Sequence, residues 1–307
     1  MKKIKLGSSN LEVSNIALGC MRMGDKTVKE AAAVIKMALD CGINFFDHAD
    51  MYAGGESEKV FAKAVKSLGI NREDIIIQSK CAIDTKNKNY NFSKDYILES
   101  VDGILKRLDT DYIDVLLLHR PDALMEIDQV NEAFNVLYKE KKVRHFGVSN
   151  QSPIQMDLMK SGLDFPLLVN QVQYSLKHTA ILDAGFNVNL YNDQAVDRGA
   201  GILEYAQLNK QTVQTWSPFF SGFFEEIFID SKNFKELNIV LDEMAAKYKV
   251  AKEAIAVAWI LRHPASLQVL VGSMTPERIK KISAASEINL SHNDWYNLYK
   301  AAGNQLP

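Results

Sequence analysis

Short apolar runs rich in β-branched residues recur along the chain, and each is followed by a longer segment with helical periodicity. The runs have the length of buried strands and lie at 16–19, 44–47, 75–80, 112–119, 145–149, 167–173, 213–217 and 268–272. The segments predicted as helices lie at 29–39, 56–67, 94–108, 130–140, 153–160, 201–209, 234–248 and 276–285. This alternation is typical of parallel strands covered by helices.

Eight repeats favour a closed barrel over an open doubly wound sheet, and no GxGxxG follows the first strand. The predicted fold class is therefore α/β, a (β/α)8 TIM barrel formed by one domain over residues 1–307. Runs at 4–6 and 11–13 flank Gly7-Ser8-Ser9-Asn10 and predict an N-terminal β-hairpin that plugs one end of the barrel. Extra helices are expected at 251–262 and 293–302, whereas 179–201 lacks a clear period and is expected to be a loop.

Composition narrows the class of protein. Hydrophobic residues make up 47% and charged residues 24% of the chain, its net charge is −2 and its pI is about 6.3. A balance of this kind does not attract a polyanion, so no nucleic-acid partner is expected. Cys20, Cys41 and Cys81 are far apart, which argues against disulfides and structural zinc.

The basic N-terminal residues Met1-Lys2-Lys3 precede no apolar signal-peptide core. No apolar run approaches the roughly 20 residues needed to span a bilayer. We therefore expect a cytoplasmic protein with no membrane partner.

Polar residues follow most of the predicted strands, and barrels of this kind place their active sites at the carboxyl ends of the strands. These residues are Asp47, Lys80, His119, Ser149-Asn150, Gln171, Trp216-Ser217 and Gly272-Ser273. Strands end where polar loops begin, so any one of these residues alone has an equally good structural explanation. Their convergence at one rim indicates a site.

Lys80 closes the apolar run that begins at Ile75, so its ammonium would be buried. An unpaired buried ammonium costs several kcal/mol or loses its proton. Asp47, at the end of the neighbouring strand, is the expected partner. A purely structural ion pair is the alternative at this point.

Tyr52, in the loop that follows Asp47, favours a catalytic interpretation. A phenol has an ordinary pKa near 10, and a nearby ammonium stabilises its anion and lowers that pKa. Tyr52 could therefore donate a proton at neutral pH. His119 could orient a carbonyl oxygen beside it or help to relay the proton.

At these residues the chain resembles the aldo-keto reductase superfamily, and the similarity runs nearly end to end. Residues 45–52 (FFDHADMY) are similar to its strand-two signature, and the Gly54-Gly55-Glu56-Ser57-Glu58 turn follows as expected. Residues 77–80 (IQSK) and 114–122 (DVLLLHRPD) contain the lysine and the histidine. Residues 142–150 (KVRHFGVSN) and 169–174 (VNQVQY) are similar to the segments that hold the nicotinamide.

The resemblance implies a carbonyl reductase that uses a nicotinamide cofactor, with catalytic residues Tyr52, Lys80, His119 and Asp47. Ser149, Asn150 and Gln171 would hydrogen-bond the carboxamide, and Trp216 would stack on the nicotinamide ring. Ser217, Ser221 and Gly222 would contact the pyrophosphate, and Gly19, Cys20 and Met21 after strand one would also contact the cofactor. Gly272, Ser273 and Arg278 would hold the adenosine 2′-phosphate.

The last assignment has independent physical support. Ser273-Met274-Thr275-Pro276 is typical of a capped helix start, which binds anions, and Arg278 adds a guanidinium. NADP(H) is therefore expected in preference to NAD(H). Gly272 stands where many relatives have lysine, and Lys281 and Ile282 replace residues that often grip the adenine in relatives.

Other departures concern the substrate, expected to be a small-molecule carbonyl compound. Met21, Met23, His48 and Arg120 are the candidate substrate contacts, and Arg22 lies in the same loop as the two methionines. Arg22 and Arg120 could attract a carboxylate. Pairing with local acids such as Asp50 or Asp122 is the favoured alternative.

Two other functions stay open at this stage. His48, Asp50 and His119 could in principle bind a metal in a hydrolase, although that interpretation leaves Lys80, Tyr52 and Trp216 unexplained. A nucleotide-binding regulatory or sensor protein could keep the fold and cofactor but have little turnover.

Overall fold

The computed structural model describes residues 1–223 and 225–307 of the chain. Its strands are β1 (Lys3–Lys5), β2 (Glu12–Ser14), β3 (Ile16–Gly19), β4 (Phe45–Asp47), β5 (Ile76–Cys81), β6 (Ile83–Asp84), β7 (Asn89–Tyr90), β8 (Ile113–Leu118), β9 (Val143–Ser149), β10 (Leu167–Gln173), β11 (Thr212–Trp216) and β12 (Leu267–Val271). Its α-helices are α1 (Val28–Asp40), α2 (Glu56–Ser67), α3 (Lys94–Leu108), α4 (Ile127–Lys139), α5 (Pro153–Lys160), α6 (Ala180–Phe186), α7 (Ile202–Leu208), α8 (Lys235–Tyr248), α9 (Lys252–Leu261), α10 (Pro276–Ser283) and α11 (His292–Ala301).

Eight parallel strands close into a barrel in the order β3-β4-β5-β8-β9-β10-β11-β12, and β12 pairs with β3 to complete the circle. The predicted (β/α)8 barrel is confirmed. Local sequence accounts for the helix starts. Thr27 and Glu30 form a capping box at α1, and Ser152 and Gln155 form another at α5, where Pro153 occupies the first turn.

The N-terminal hairpin closes one end of the barrel, as predicted. β1 and β2 pair antiparallel, and the buried Leu6 and Val13 pack with an apolar layer that includes Leu168 and Leu270. Gly7, in the hairpin turn, has a φ of +55°, and a Cβ there would lie 2.6 Å from the Leu168 carbonyl oxygen. Glycine is therefore required for the close approach of the plug to the barrel.

The extra helices near the C-terminus are also present. The Trp259 and Trp295 rings, on α9 and α11, stack with centroids 4.9 Å apart. Each indole Nε1 donates to the other residue's carbonyl oxygen, at 3.1 and 3.0 Å. These reciprocal bonds satisfy both buried indoles and hold α11 against α9.

Two local predictions were wrong or incomplete. Residues 179–201 are not all loop, because they contain α6 and a 3₁₀ turn at Asp193–Ala195. Tertiary contact supports α6, since Leu182 is buried and the Tyr299 hydroxyl donates to Asp183 Oδ1 at 2.8 Å. The small β6–β7 hairpin beyond β5 was not predicted because its strands have two residues each. Among the described residues, no helix combines the length and apolar character that crossing a bilayer requires.

Candidate active site

Lys80 lies at the centre of a polar cluster at the carboxyl ends of the strands. Its ammonium Nζ donates to Asp47 Oδ2 at 2.7 Å, to the His48 carbonyl oxygen at 2.8 Å and to Tyr52 Oη at 3.0 Å. These contacts use all three ammonium hydrogens. Because the Tyr52 oxygen accepts from Lys80, its own proton is directed to another acceptor.

Lys80 remains charged although its side chain is fully buried. Burial lowers the pKa of Lys80, but the Asp47 carboxylate and Tyr52 outweigh it, so the net pKa is above the ordinary value. An ammonium that is both buried and paired is a fixed electrostatic element, which suits it to tune a neighbouring group.

Tyr52 differs from the sequence-based expectation. Burial raises the pKa of its phenol more than the Lys80 ammonium lowers it, so the net pKa lies above the ordinary value. The expected lowering is therefore wrong. The phenol is protonated at neutral pH, which is the state that a proton donor requires.

His119 lies beside Tyr52, with the two rings edge to face and their centroids 6.1 Å apart. Burial, followed by the charges of Lys80 and Arg120, holds the pKa of His119 well below its usual range. Its imidazole is therefore neutral at physiological pH, and one ring nitrogen can donate a hydrogen bond.

A chain of buried amides supports Asp47 from inside the barrel. Gln78 Nε2 and Gln171 Nε2 donate to Asp47 Oδ1 at 2.6 and 3.0 Å, and both also donate to Gln214 Oε1. Gln214 Nε2 reaches Gln268 Oε1 at 2.8 Å, and Gln268 Nε2 ends the chain on a backbone carbonyl oxygen. Of these glutamines, the sequence analysis identified only Gln171 as a site residue. The other three could have been identified from their position, because each is a glutamine within a buried strand.

A cavity of about 720 Å³ opens above this cluster. The predicted site residues that line it are Gly19, Met21, Asp47, Tyr52, His119, Arg120, Ser149, Asn150, Gln171, Trp216, Ser217, Gly272, Ser273 and Arg278. Lys80 lies beneath its wall, behind Tyr52. One cavity therefore contacts both the proposed catalytic residues and the proposed dinucleotide residues.

Two predicted substrate contacts do not line the cavity. Strand side chains alternate in direction, so Asp47 points into the barrel and His48 points out. The His48 ring packs on Phe61 of α2 with centroids 4.5 Å apart, and burial lowers its pKa to about 3. Met23 is likewise fully buried in the apolar core. The expectation that these two residues contact substrate is corrected accordingly.

Three predicted cofactor residues also lie outside the cavity lining. Cys20 is fully buried, and its thiol faces the Leu18 carbonyl oxygen. Ser221 Oγ lies 3.3 Å from Glu225 Oε2, and the Gly222 carbonyl oxygen accepts from Gln173 Nε2 at 2.7 Å. These contacts hold the loop after β11 rather than expose the predicted groups to the cavity.

The sequence analysis did not identify most of the apolar residues that line the cavity. They include Met51, Ile83, Tyr90, Phe219, Phe220, Phe223 and Ile227. Ile83 and Tyr90 are register partners in the unpredicted β6–β7 hairpin. The sequence feature that could have indicated this hairpin is Tyr90, an aromatic residue beside a polar turn.

Backbone geometry at the rim is unusual. Asn150 and Ser217, which follow β9 and β11, have φ angles of 57° and 52°. Few residues other than glycine adopt this region, and such strain is typical of functional sites. Both side chains belong to the predicted nicotinamide and pyrophosphate contacts.

The start of α10 has the features of an anion site. Pro276 occupies its first turn, but the Thr275 side chain makes no capping bond, contrary to the predicted cap. Arg278 Nε is buried and has no hydrogen-bond partner among residues 1–223 and 225–307, since Glu253 Oε1 is 3.7 Å away. Ser273 and Arg278 line the cavity at this helix start, and the Arg278 guanidinium combines an Nε without a hydrogen bond with a long ion pair to Glu253.

The arrangement does not support the metal-hydrolase alternative. His48 and His119 point to opposite sides of the barrel wall, so they do not converge on one ion. In the described parts of the chain, no group of three or more His, Cys, Asp or Glu side chains has the geometry to hold a metal.

A closed parallel barrel with a Tyr-Lys-His-Asp cluster at its carboxyl rim defines the class of protein, and comparison with known proteins identifies the family. The model of the Aldo/keto reductase family matches residues 15–302, so this chain belongs to that family of oxidoreductases. Oxidoreductase YdhF of Escherichia coli (strain K12) is 32% identical over 312 residues, covering 98% of each chain.

One further relative and one solved structure extend the comparison. The 6-dehydroglucose reductase of Agrobacterium fabrum is 31% identical over 313 residues, covering 98% of each chain. The fold matches that of an aldo-keto reductase from Klebsiella pneumoniae solved in complex with NADPH, with a TM-score of 0.78 and 24% identity, covering 98% of this chain and 95% of that one.

Proposed function

We propose that this protein is an NADP(H)-dependent reductase of aldehyde or ketone carbonyls. The observation that carries the proposal is the hydrogen bond from Lys80 Nζ to Tyr52 Oη at 3.0 Å, beside Asp47 and on the cavity that Trp216 also lines. When bound, the dinucleotide supplies a hydride to the carbonyl carbon, and Tyr52 gives a proton to the carbonyl oxygen, so that an alcohol and oxidised dinucleotide leave.

The chain's own residues control the proton. Tyr52 keeps its proton at neutral pH, because burial raises its pKa. As the proton leaves, the fixed Lys80 N–H stabilises the phenolate oxygen that forms. His119, neutral at this pH, donates a hydrogen bond that holds the carbonyl oxygen near Tyr52. The word reductase in the name of the Agrobacterium relative supports this direction of reaction.

The opposite wall of the cavity fits the nicotinamide. Trp216 offers a flat indole for stacking, and Ser149 and Asn150 offer side-chain polar groups. Gln171 has both amide hydrogens committed to Asp47 and Gln214, so its Oε1 is the atom left to accept from a carboxamide. The same glutamine would therefore link the cofactor to the carboxylate that holds Lys80.

The far end of the cavity favours the 2′-phosphate of NADP(H). Arg278 brings to the start of α10 a guanidinium whose Nε has no hydrogen bond among the described residues, and Ser273 adds a hydroxyl. Gly272 contributes no charge at this point, so we assign the preference for NADP(H) over NAD(H) to Arg278. That the Klebsiella protein of the same fold was solved with NADPH supports this assignment.

The direct test is NADPH absorbance in the presence of 4-nitrobenzaldehyde, repeated with NADH and with a metal chelator. We expect turnover with NADPH, slower turnover with NADH and no effect of the chelator. The Arg278→Met variant should reduce the NADPH-to-NADH ratio of kcat/KM by roughly tenfold. Binding of NADPH without oxidation by any aldehyde or ketone would contradict the proposal and favour a regulatory or sensor protein.

A further inference from the structure

The charges that line the cavity do not balance. Among the described lining residues the carboxylate is Asp47, and Lys80 neutralises it at 2.7 Å. Three guanidiniums, those of Arg22, Arg120 and Arg278, line the same cavity, and Arg278 forms a long ion pair of 3.7 Å with Glu253. An apolar, aromatic wall with surplus positive charge favours an anionic occupant.

Arg120 has no charged partner in the described protein. Its guanidinium lies over the Phe223 ring, 5.8 Å from the centroid, and it forms no ion pair or hydrogen bond within residues 1–223 and 225–307. Asp122 accepts instead from the Phe92 and Leu124 backbone N–H groups, at 2.9 and 2.8 Å. Pairing with this acid, one of the two sequence alternatives, is therefore excluded as the role of Arg120.

Asp50 is the other acid considered, and it also lies elsewhere. It is not among the residues that line the cavity, and burial and Glu58 raise its pKa, with Arg107 opposing them. Arg107 Nε itself donates to Glu58 Oε2 at 2.6 Å, outside the barrel wall. Arg120, by contrast, faces the cavity and remains available to a ligand.

The three arginines occupy different parts of the cavity. Arg278 lies at α10, where the 2′-phosphate would bind. The Arg22 guanidinium lies 5.9 Å from the ring centroid of Phe220. Phe220 belongs to the loop after β11, which was predicted to contact the pyrophosphate. Arg120 lines the cavity together with His119 and Tyr52, so it lies on the side where a carbonyl compound would approach Tyr52.

We propose that the carbonyl substrate also carries a carboxylate, which the Arg120 guanidinium binds while the carbonyl oxygen lies at Tyr52 and His119. This inference rests on the proposed reductase function and names its substrate class. A single guanidinium matches a carboxylate in charge and in its two parallel hydrogen bonds. Met51, Tyr90 and Phe223 supply the apolar wall between the two polar ends.

The test compares two aldehydes that differ in charge at one position, 4-carboxybenzaldehyde and methyl 4-formylbenzoate. Their different intrinsic reactivities cancel when the acid-to-ester ratio of kcat/KM is compared between variants. We expect Arg120→Met to reduce this ratio by roughly tenfold or more, mainly through the KM of the acid. Arg120→Lys should give an acid-to-ester ratio between those of the wild type and Arg120→Met, because lysine keeps the positive charge but lacks the planar guanidinium.

Arg22→Met is the matched control, since it removes the same charge from the same cavity. It should raise the KM for NADPH and leave the acid-to-ester ratio within about twofold, a change well below the effect expected of a direct charged contact. An equal fall in the ratio for both variants, or an unchanged ratio in Arg120→Met, would overturn the proposal.

Binding of 4-carboxybenzyl alcohol and its methyl ester to the NADP⁺-loaded protein, measured by calorimetry, separates this inference from the proposed function. The acid should bind more tightly than the ester in the wild type and lose that advantage in Arg120→Met. Failure to oxidise NADPH with either aldehyde would contradict the reductase function, while the two binding constants would still decide for or against the carboxylate site.

Discussion

The two ends of the barrel have opposite chemistry although the same eight strands build both. The closed end is apolar, with Leu6 and Val13 of the hairpin in one buried cluster with Leu168 and Val169. The open end buries a lysine whose Nζ lies 2.7 Å from the Asp47 carboxylate and 3.0 Å from the Tyr52 hydroxyl. Buried charges rarely add net stability, whereas apolar packing does. The comparison indicates that the closed end stabilises the fold, and we propose that the open end carries the chemistry.

Replacing Lys80 with methionine should have the largest effect and should affect both activity and stability. The change leaves the Asp47 carboxylate buried without its cation, which costs about 3–5 kcal/mol in the free energy of unfolding. It also removes the N–H that stabilises the Tyr52 anion, so kcat should fall by roughly 10²- to 10⁴-fold. Urea unfolding and NADPH oxidation measure the two effects.

Lys36→Met is the matched control, because Lys36 forms an exposed ion pair with Asp40 at 2.8 Å. Such pairs contribute about 0–1 kcal/mol, so this variant should unfold and turn over like the wild type. A stable and active Lys80→Met protein would contradict the assignment of Lys80.

Replacing Leu6 with alanine should affect the closed end alone. The lost packing and the residual cavity should lower the free energy of unfolding by about 2–5 kcal/mol. The kcat per folded molecule should not change, because the plug lies at the opposite end of the strands from Tyr52. Leu208→Ala, at a side chain that is 84% exposed, is the control and should be neutral in both assays. A large loss of kcat in Leu6→Ala would contradict the claim that the closed end contributes to stability and not to catalysis.

Replacing Asp50 with asparagine should have the smallest effect and should depend on pH. Burial and the neighbouring Glu58 raise the pKa of Asp50 to about 7 in the folded protein, from an ordinary value of 3.8. The stability that this protonated carboxyl contributes is complete below pH 3.8 and is lost as the pH rises through 7. Asp50→Asn should therefore raise Tm by about 2–4 °C at pH 8 and by less at pH 5. An equal rise at both pH values would show that charge is not the cause.

Much of the fold followed from periodicity. The boundaries of β10, α2, α3 and α5 were predicted to the residue, because long runs of one period leave little ambiguity. Residues 179–201 were harder, since α6 depends on distant contacts such as that between Asp183 and Tyr299. Short elements supported by tertiary contact have no strong local pattern.

Part of the candidate site could be predicted from the sequence, because the carboxyl ends of the parallel strands meet at one rim of the barrel. Sequence position does not tell which face a loop residue takes, so His48 was assigned to the cavity although it packs against Phe61. The pKa of Tyr52 depends on burial as well as on Lys80, and burial cannot be read from spacing. Whether Arg120 had a local partner likewise needed three-dimensional geometry.

The most direct test of the central claim is single-turnover reduction of 4-nitrobenzaldehyde by the Tyr52→Phe variant loaded with NADPH. Tyr138→Phe removes the same hydroxyl from an exposed position on α4 and is the control. We expect Tyr52→Phe to bind NADPH as the wild type does and to reduce the aldehyde roughly 10²- to 10⁴-fold more slowly. A Tyr52→Phe rate equal to that of the Tyr138→Phe control would contradict the assignment of Tyr52 as the proton donor.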